Sequence, residues 1–399
     1  MKILMINSVC GIRSTGRICT DLAGVLQSEG VDVRIAWGRE IVPPEFEAVS
    51  VRIGGPMGVY AHALKARLLD QAGFGSRFAT ERFLRWVRDW DPDVIHLHNL
   101  HGYYLHVGLL FDYLRGCGKP VIWTLHDSWA YTGHSPLCEL ERCESWRTGC
   151  GSCPLRGTYP ASLLDRSGLN WLRKKACFSG VPGLTLVTPS RWLAACVEQS
   201  FLGQYPVTVI GNGIDTTVFR PTESDFRREY GLEGKRILLA VSTVWDDTKG
   251  LSDYLKLAQR LGEPWRVVLC GMTDAELQAL PQGVTGVGRT ADPKTLAGIY
   301  SAADLLLNFS RCESFSMVNL EAQACGTPVL TYDAGGTAET VFPGCGKVIP
   351  KGDLDAAEAA LRSFWSRGDG PARVTIDNRA VDRARMLEQY LKLYRGTSA

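Results

Sequence analysis

This chain lacks any large excess of positive or negative charge: 44 lysines and arginines stand against 42 aspartates and glutamates, a formal charge of +2. Without a positive field no polyanion is held through counterion release, so a dedicated nucleic-acid binder is not expected and no nucleic-acid partner is assigned. Long apolar runs are missing too, and none reaches the ~20 residues that a membrane-spanning helix needs. The opening MKILMINSVCG carries an apolar stretch too short for a secretory signal, with no small-residue cleavage site after it. Nor is the chain short of apolar residues: 45% hydrophobic and 22% charged is an ordinary globular composition. A length of 399 residues exceeds what one core commonly fills, so two domains are expected. Thirteen cysteines are an odd number, and Cys10, Cys19, Cys117, Cys177, Cys196, Cys270 and Cys325 sit singly in apolar segments. That is the pattern of reduced thiols, and a cytoplasmic location is expected from it.

What is present is a repeating alternation. Short apolar runs at 2–7, 31–37, 93–99, 121–127 and 184–190 alternate with helical stretches, and a second set follows at 236–243, 265–271, 304–310 and 328–336. Continuous apolar strands of this kind belong to parallel sheets covered on both faces, so two doubly wound α/β domains are expected. The turn chemistry of VTVIGNGIDTTVFRP marks the boundary. The expected division is a first domain over 1–205 with a cysteine-rich insertion at 134–160, a linker at 206–222, and a second domain over 223–376. Helically spaced apolar residues in 377–399 predict a closing amphipathic helix that returns to the first domain.

Ligands of such sheets bind outside the carboxyl ends of the strands, so the residues after each run come first. The first run ends in Gly11-Ile-Arg-Ser-Thr-Gly16-Arg17, which has P-loop glycine spacing without its lysine and hydroxyl, and lacks the second glycine of a dinucleotide fingerprint. A nucleoside triphosphatase is excluded; a loop presenting N–H groups to a ligand and a plain tight turn both stand. Six of the seven histidines fall between 96 and 134. His96 and His98 alternate onto one strand face, where hydrogen bonding and packing are expected rather than a metal pair. His126 ends a strand at the expected cleft, and Asp127 beside it could orient the ring or touch substrate.

In the second domain Lys249-Gly250 closes the strand-to-helix loop that begins at Ser242. The richer signal is Glu313-Ser-Phe-Ser-Met-Val-Asn-Leu-Glu321, where Ser314 and Ser316 can cap a helix whose free N–H groups would face an anion. Eight steps along a helix are roughly 12 Å, beyond the roughly 5–9.5 Å between the carboxylates of a hydrolase. Two acids so spaced would touch separate parts of one extended ligand.

Taken together, the glycine stretch after the first strand, His126, Ser190-Arg-Trp-Leu193, Asn212-Gly-Ile-Asp215, Lys249-Gly250 and the E-x7-E stretch resemble retaining glycosyltransferases of family 4, with the GT-B fold of two Rossmann-like domains facing across a cleft. The TLHDSWAYTG stretch is similar to the capsule and colanic-acid-type branch. The resemblance implies a hexose moved from a nucleotide diphosphate sugar, of UDP or GDP type, to a glycan or lipid-linked acceptor, with retention and without a catalytic metal. It implies Glu313 at the donor-sugar hydroxyls, Glu321 at the ribose, and N–H groups near Ser316 and Met317 at the phosphates, with Ser314, Phe315, Val318 and Ser242 lining the same site. Lys249 would neutralise the leaving diphosphate and His126 and Asp127 would line the reaction centre, while the Gly16 stretch closes over donor or acceptor. The family often carries an arginine shortly before the lysine, which is absent between Ser242 and Lys249, leaving Arg17, Arg191 or Arg289 as substitutes. A nucleotide-sugar epimerase, a glycan phosphorylase and a partner subunit with a vestigial site remain as alternatives.

Two features lie outside this set. Cys138, Cys143, Cys150 and Cys153 fall within sixteen residues, with the density of a structural tetrathiolate zinc site; two disulfides or free thiols are the competing readings. Residues 60–90 set six basic against three acidic residues, interleaved with Phe74, Phe78, Phe83, Trp86 and Trp90. These could rest at the anionic inner face of a plasma membrane, or the aromatics could lie in the core beneath a solvated face.

Overall fold

The computed structural model of the chain describes residues 1–366 and 370–397. The ends of the expected second domain and closing helix therefore include 367–369 and 398–399, outside the described residues. Two compact units form: Met1–Ile210 with the residues from Leu387 onward, and Gly211–Met386. The first boundary falls inside the expected linker, because its opening residues become a strand of the first sheet.

In the first unit β1 (Lys2–Ile6), β2 (Asp32–Trp37), β3 (Ser50–Arg52), β4 (Val94–Leu97), β5 (Val121–Thr124), β6 (Leu184–Thr188) and β7 (Val207–Val209) build one sheet in the order β3-β2-β1-β4-β5-β6-β7. Every pairing is parallel. In the second unit β8 (Arg236–Val241), β9 (Trp265–Met272), β10 (Val284–Gly288), β11 (Leu305–Asn308), β12 (Val329–Asp333) and β13 (Gly346–Pro350) repeat the plan as β10-β9-β8-β11-β12-β13, again parallel. Each sheet reverses its strand order once at the centre, between β1 and β4 and between β8 and β11. Those are the switch points where such sheets open a crevice for ligands.

The apolar runs have a direct cause in this layering. Along β8, Ile237 and Leu239 join the core on one face while Leu238 and Ala240 join the core on the other, all fully buried. A strand covered on both sides has no polar face to alternate with. The four strands without an apolar signature, β3, β7, β10 and β13, are the four sheet edges, and in each most residues are half-buried or exposed. An edge strand needs polar or glycine positions on its open side, which hides it from a search for apolar runs.

The closing segment is two helices, Asn378–Val381 and Arg383–Thr397. The second carries Tyr390 and Tyr394 into the first unit's buried interior and Arg395 onto Glu29 at 2.9 Å. Of the aromatics at 74–90, Phe83 is buried and Phe74, Trp86 and Trp90 pack against the core, whereas Phe78 is 84% exposed. Among the described residues, no helix is long and apolar enough to cross a membrane.

Candidate functional site

The second unit gathers the predicted residues around the β8/β11 switch point. After β8 the chain turns through a short 3-10 segment, Asp247–Lys249, held by the Asp246 carboxylate, which accepts from the N–H groups of Thr248 at 2.9 Å and Lys249 at 3.2 Å. Gly250 then takes φ +79, and a Cβ there would stand 2.3 Å from the Phe309 carbonyl oxygen. The left-handed backbone and the close approach leave glycine as the residue that fits. This turn aims Lys249 at the segment after β11, where its Nζ lies 2.6 Å from Glu313 Oε1. Burial lowers the ammonium pKa, but the Glu313 charge and hydrogen bond outweigh it and the net shift is upward, so Lys249 is a cation at neutral pH.

Glu313 precedes the helix rather than lying along it. The helix runs over Met317–Ala324, and Glu313 is in extended backbone bridged to Gly335, with the Gly336 N–H donating to its carbonyl at 2.8 Å. The two acids are thus not one helical face, as the spacing suggested, but one residue in a strand-like approach and one in the helix's second turn. Both are half-buried, neither lost in the core nor fully in solvent. Glu321 Oε2 accepts from the Tyr300 hydroxyl at 2.8 Å.

Ser316 occupies the N-cap position, yet its side chain makes no capping hydrogen bond. Its hydroxyl accepts instead from Asn308 Nδ2 at 2.8 Å, and Asn308 Nδ2 also reaches Asn319 Oδ1 at 3.0 Å. Asn319 in turn donates to Thr340 Oγ1 at 2.9 Å. This buried polar ladder ties the helix to β11 and leaves its positive end uncapped by Ser316, where an anion is favoured. Phe315, Met317 and Val318 pack their side chains against the core, so what they can offer a ligand is backbone. Ser242 donates its hydroxyl to the Val244 carbonyl at 2.7 Å and shapes the same loop. Of the arginines considered for the phosphate site, Arg289 lies in this unit, with a guanidinium nitrogen 3.4 Å from the Thr243 carbonyl. Arg17 and Arg191 are exposed residues of the first unit.

In the first unit the glycine stretch is shorter as a loop than its composition suggests. The helix starts at Arg13, which places Gly16 and Arg17 inside it rather than in a loop able to close. Gly16 is buried, and a Cβ there would meet Val9 at 3.1 Å and the Gly11 nitrogen at 3.2 Å, so its role is close helix packing. Beside it Asn7, fully buried at the end of β1, donates to the Val9 carbonyl at 2.8 Å and accepts from the Asn99 N–H at 3.2 Å. It pins the two loops at this switch point together.

His126 follows β5 and stacks on His98, with His126 Nε2 3.1 Å from His98 Nδ1 and the rings within 13° of parallel. Burial pushes the His126 pKa down to about 4, against a small upward pull from Asp127, so the imidazole is neutral at pH 7. Asp127 does not orient His126. Its Oδ2 lies 2.8 Å from His101 Nε2 and its Oδ1 accepts from the Trp129 N–H at 2.9 Å. Burial would raise this carboxyl, but His101 and the Trp129 N–H hold it below the usual range. His96 takes a hydrogen-bonding place, with Nδ1 2.5 Å from the Tyr394 hydroxyl and Nε2 2.8 Å from Thr124 Oγ1. Asn308, Tyr300 and Asn7 were not singled out by the sequence; strand-end position was the signal available for Asn7 and Asn308, and Tyr300 had none.

The four clustered cysteines, Cys138, Cys143, Cys150 and Cys153, line one small cavity, and among the described residues no cysteine is joined in a disulfide. Among the described residues, no group of three or more histidine, cysteine or carboxylate side chains stands at the spacing of a bound metal.

Comparison with known proteins bears on the family and the fold. Residues 15–218 match the profile of Glycosyltransferase Family 4, and residues 222–381 that of Glycosyl transferases group 1. A putative colanic acid biosynthesis glycosyl transferase, WcaC, of Escherichia coli K12 is 26% identical over 357 residues, covering 85% of this chain and 84% of its own length. A D-inositol 3-phosphate glycosyltransferase of Catenulispora acidiphila is 34% identical over 194 residues, covering 42% of this chain and 45% of its own. Among solved structures, sucrose-phosphate synthase of Thermosynechococcus elongatus superposes with a TM-score of 0.71 at 19% identity, over 99% of this chain and 98% of that one. Anabaena HepE in complex with UDP-glucose superposes with a TM-score of 0.66 at 16% identity, over 99% of this chain and 100% of that one.

Proposed function

We propose, from the premise that this chain belongs to glycosyltransferase family 4 and has the GT-B fold class of two Rossmann-like domains, that it is a retaining hexosyltransferase acting on a nucleotide diphosphate sugar. The acceptor is a glycan, carried on a lipid, in the assembly of a bacterial polysaccharide. The observation that carries this reading is the Lys249–Glu313 pair, 2.6 Å apart at a switch point, beside a helix start that Ser316 leaves uncapped.

Transfer requires that charge developing on the departing diphosphate be stabilised as the sugar carbon becomes electron-poor. A fixed ammonium and a helix N-terminus supply that stabilisation without a metal ion. Lys249 would neutralise the leaving phosphate, with Arg289 in place of the expected nearby arginine, while backbone N–H groups at Ser316 and Met317 cradle the diphosphate. Glu313, fixed by Gly335 and Gly336, would hold the sugar hydroxyls; Glu321, aligned by Tyr300, would hold the ribose. His126, neutral and braced by His98, would contribute a hydrogen bond at the acceptor side rather than a charge. The UDP-glucose of the Anabaena structure favours a uridine nucleotide, and the name of the Escherichia coli relative favours exopolysaccharide.

The test is release of nucleoside diphosphate from UDP- and GDP-sugars with and without a polyprenyl-linked acceptor. Release that needs acceptor and is unchanged by added Mg²⁺ or Mn²⁺ supports the reading. Epimerised nucleotide sugar, or phosphate-dependent cleavage of a glycan, would replace it with one of the other enzymes this fold class serves. Work at the cytoplasmic face of the membrane is part of the proposal. The helix Pro56–Leu69 exposes Met57 (81%), Tyr60 (72%) and Leu64 (59%) beside Lys65 and Arg67. Apolar residues flanked by cations suit an anionic lipid surface. Met57→Asp with Leu64→Asp should abolish sedimentation with phosphatidylglycerol vesicles; equal sedimentation of parent and variant removes this surface from the proposal.

A further inference from the structure

The cavity beneath the histidine-bearing loop contains a residue that cysteine spacing alone does not reveal. It has a volume of about 30 Å³ and is lined by His134 together with Cys138, Cys143, Cys150 and Cys153. His134 is 3% exposed, and its Nδ1 lies 2.6 Å from the carboxylate of Asp70, itself 1% exposed. The other oxygen of Asp70 accepts from the Arg166 N–H at 2.8 Å, so the carboxylate is fixed from two sides. A carboxylate at Nδ1 keeps the proton there and turns Nε2 into a lone-pair donor. That Nε2 is buried and has no hydrogen-bond partner. A buried imidazole nitrogen left unpaired carries a desolvation cost that a ligand would remove.

The thiols are not equivalent around it. Cys143, Cys150 and Cys153 line the cavity together with His134, and the Asp165 carboxylate holds the same wall by accepting from the Cys153 N–H at 2.6 Å and the Ser167 N–H at 2.9 Å. Cys150 Sγ accepts from the Gly133 N–H at 3.2 Å, which fixes its position at the cavity wall. Cys138 is a buried member of the hydrophobic core with Tyr131 and Trp146, whereas Cys143 and Cys150 are half-buried and pack against that core from outside. Lys174 is buried close by, with the carbonyls of Trp129 and Thr132 as hydrogen-bond partners at 2.6 and 2.9 Å. Burial pulls the Lys174 pKa down to about 7, and the net charge of −1 on a divalent ion with three thiolates and one imidazole would favour its protonated form.

We propose that Zn²⁺ is bound here by Cys143, Cys150, Cys153 and His134 Nε2, with Asp70 as the outer partner of the histidine and Cys138 outside the ligand set. The donors line the cavity without standing at ligand spacing, so binding draws the loop inward. Gly149 and Gly151, either side of Cys150, give the backbone that freedom. Three thiols and one imidazole form one of the closed tetrahedral sets of structural zinc. On binding, three protons leave the thiols to solvent and no redox change occurs. The ion would pin the segment that begins at His126 and Asp127, and the site is independent of the proposed transfer reaction.

The test measures zinc on full-length protein produced in zinc-supplemented medium. The expected content is about one zinc per chain, close to zero in His134→Ala and Cys143→Ser, and unchanged in Cys138→Ser. Because a ligand variant can misfold, the parent protein is also titrated with a thiol reagent and a zinc indicator. Chelation should release zinc and make three further thiols reactive together, and Co²⁺ substitution should give the visible spectrum of a tetrahedral thiolate site. A folded, zinc-free parent with these cysteines reactive from the outset, or joined as disulfides, overturns the proposal. Loss of zinc in Cys138→Ser with retention in His134→Ala overturns the ligand set.

Discussion

Replacing Glu313 by glutamine separates what this residue does for the fold from what it does for the reaction. The side chain keeps its shape and loses its charge, and the contact at stake is the 2.6 Å pair with Lys249. A hydrogen bond between charged groups contributes about 1.5–3 kcal/mol when shielded from water. Here 33% of the Lys249 side chain and 14% of Glu313 are exposed, and the glutamine oxygen still accepts. Solvent screening brings the expected stability loss down to about 0.5–1 kcal/mol. For a unit of this size that lowers the melting temperature by about 1–4 °C. If Glu313 holds the sugar hydroxyls as charge develops, loss of that preorganised contact should lower turnover by roughly 10²–10³-fold. The two effects are read side by side, by calorimetry and by nucleoside diphosphate release at saturating donor. Turnover within about twofold of the parent would refute the assigned role. Collapse of the melting transition would show that the pair is structural.

Acid should destabilise the first unit through its histidines. His126 is pushed down to about 4 and His96 to about 3, both by burial, while an unfolded histidine titrates near 6.5. The unfolded chain therefore binds more protons between these values, and the stability is complete above about pH 6.5 and lost as pH falls toward 4. His126 alone should account for about 2 kcal/mol by pH 5. Urea midpoints should fall accordingly between pH 7.5 and 5, and a flat profile would contradict neutral, buried rings. Gly250→Ala should cost about 1–3 kcal/mol, because it places a Cβ at left-handed φ against the Phe309 carbonyl. A melting temperature unchanged by that substitution would mean the turn relaxes freely. Tyr300→Phe leaves Glu321 without its 2.8 Å donor and should raise the donor KM by roughly 2–10-fold, about 0.5–1.5 kcal/mol, with kcat little changed. A fall in kcat alone would move Glu321 away from the ribose.

The sequence makes legible those parts of the fold that water cannot reach. Central strands such as β8 and β11 are buried on both faces and stand out as unbroken apolar runs, whereas β3, β7, β10 and β13 lie at edges and leave no such trace. The same division runs through the site. Glu313, Lys249 and His126 follow central strands and are found by position. What each touches depends on contacts distant in sequence: Asp127 with His101, Ser316 with Asn308, and His134 with Asp70, 64 residues away. Helix boundaries depend on local backbone that composition does not set, which is why Gly16 belongs to a helix rather than a loop and Glu313 to an extended approach rather than a helix.

The central claim is that the β8/β11 switch point holds a nucleotide-linked sugar between Lys249, Glu313 and Glu321. Calorimetric titration of the full-length protein with UDP-, GDP- and ADP-sugars tests it most directly, comparing each sugar with its free diphosphate. One nucleotide sugar should bind saturably to the parent, lose the affinity that distinguishes it from the free diphosphate in Glu313→Gln, and lose most binding in Lys249→Ala. Equal affinity for that ligand in parent and both folded variants would contradict the claim.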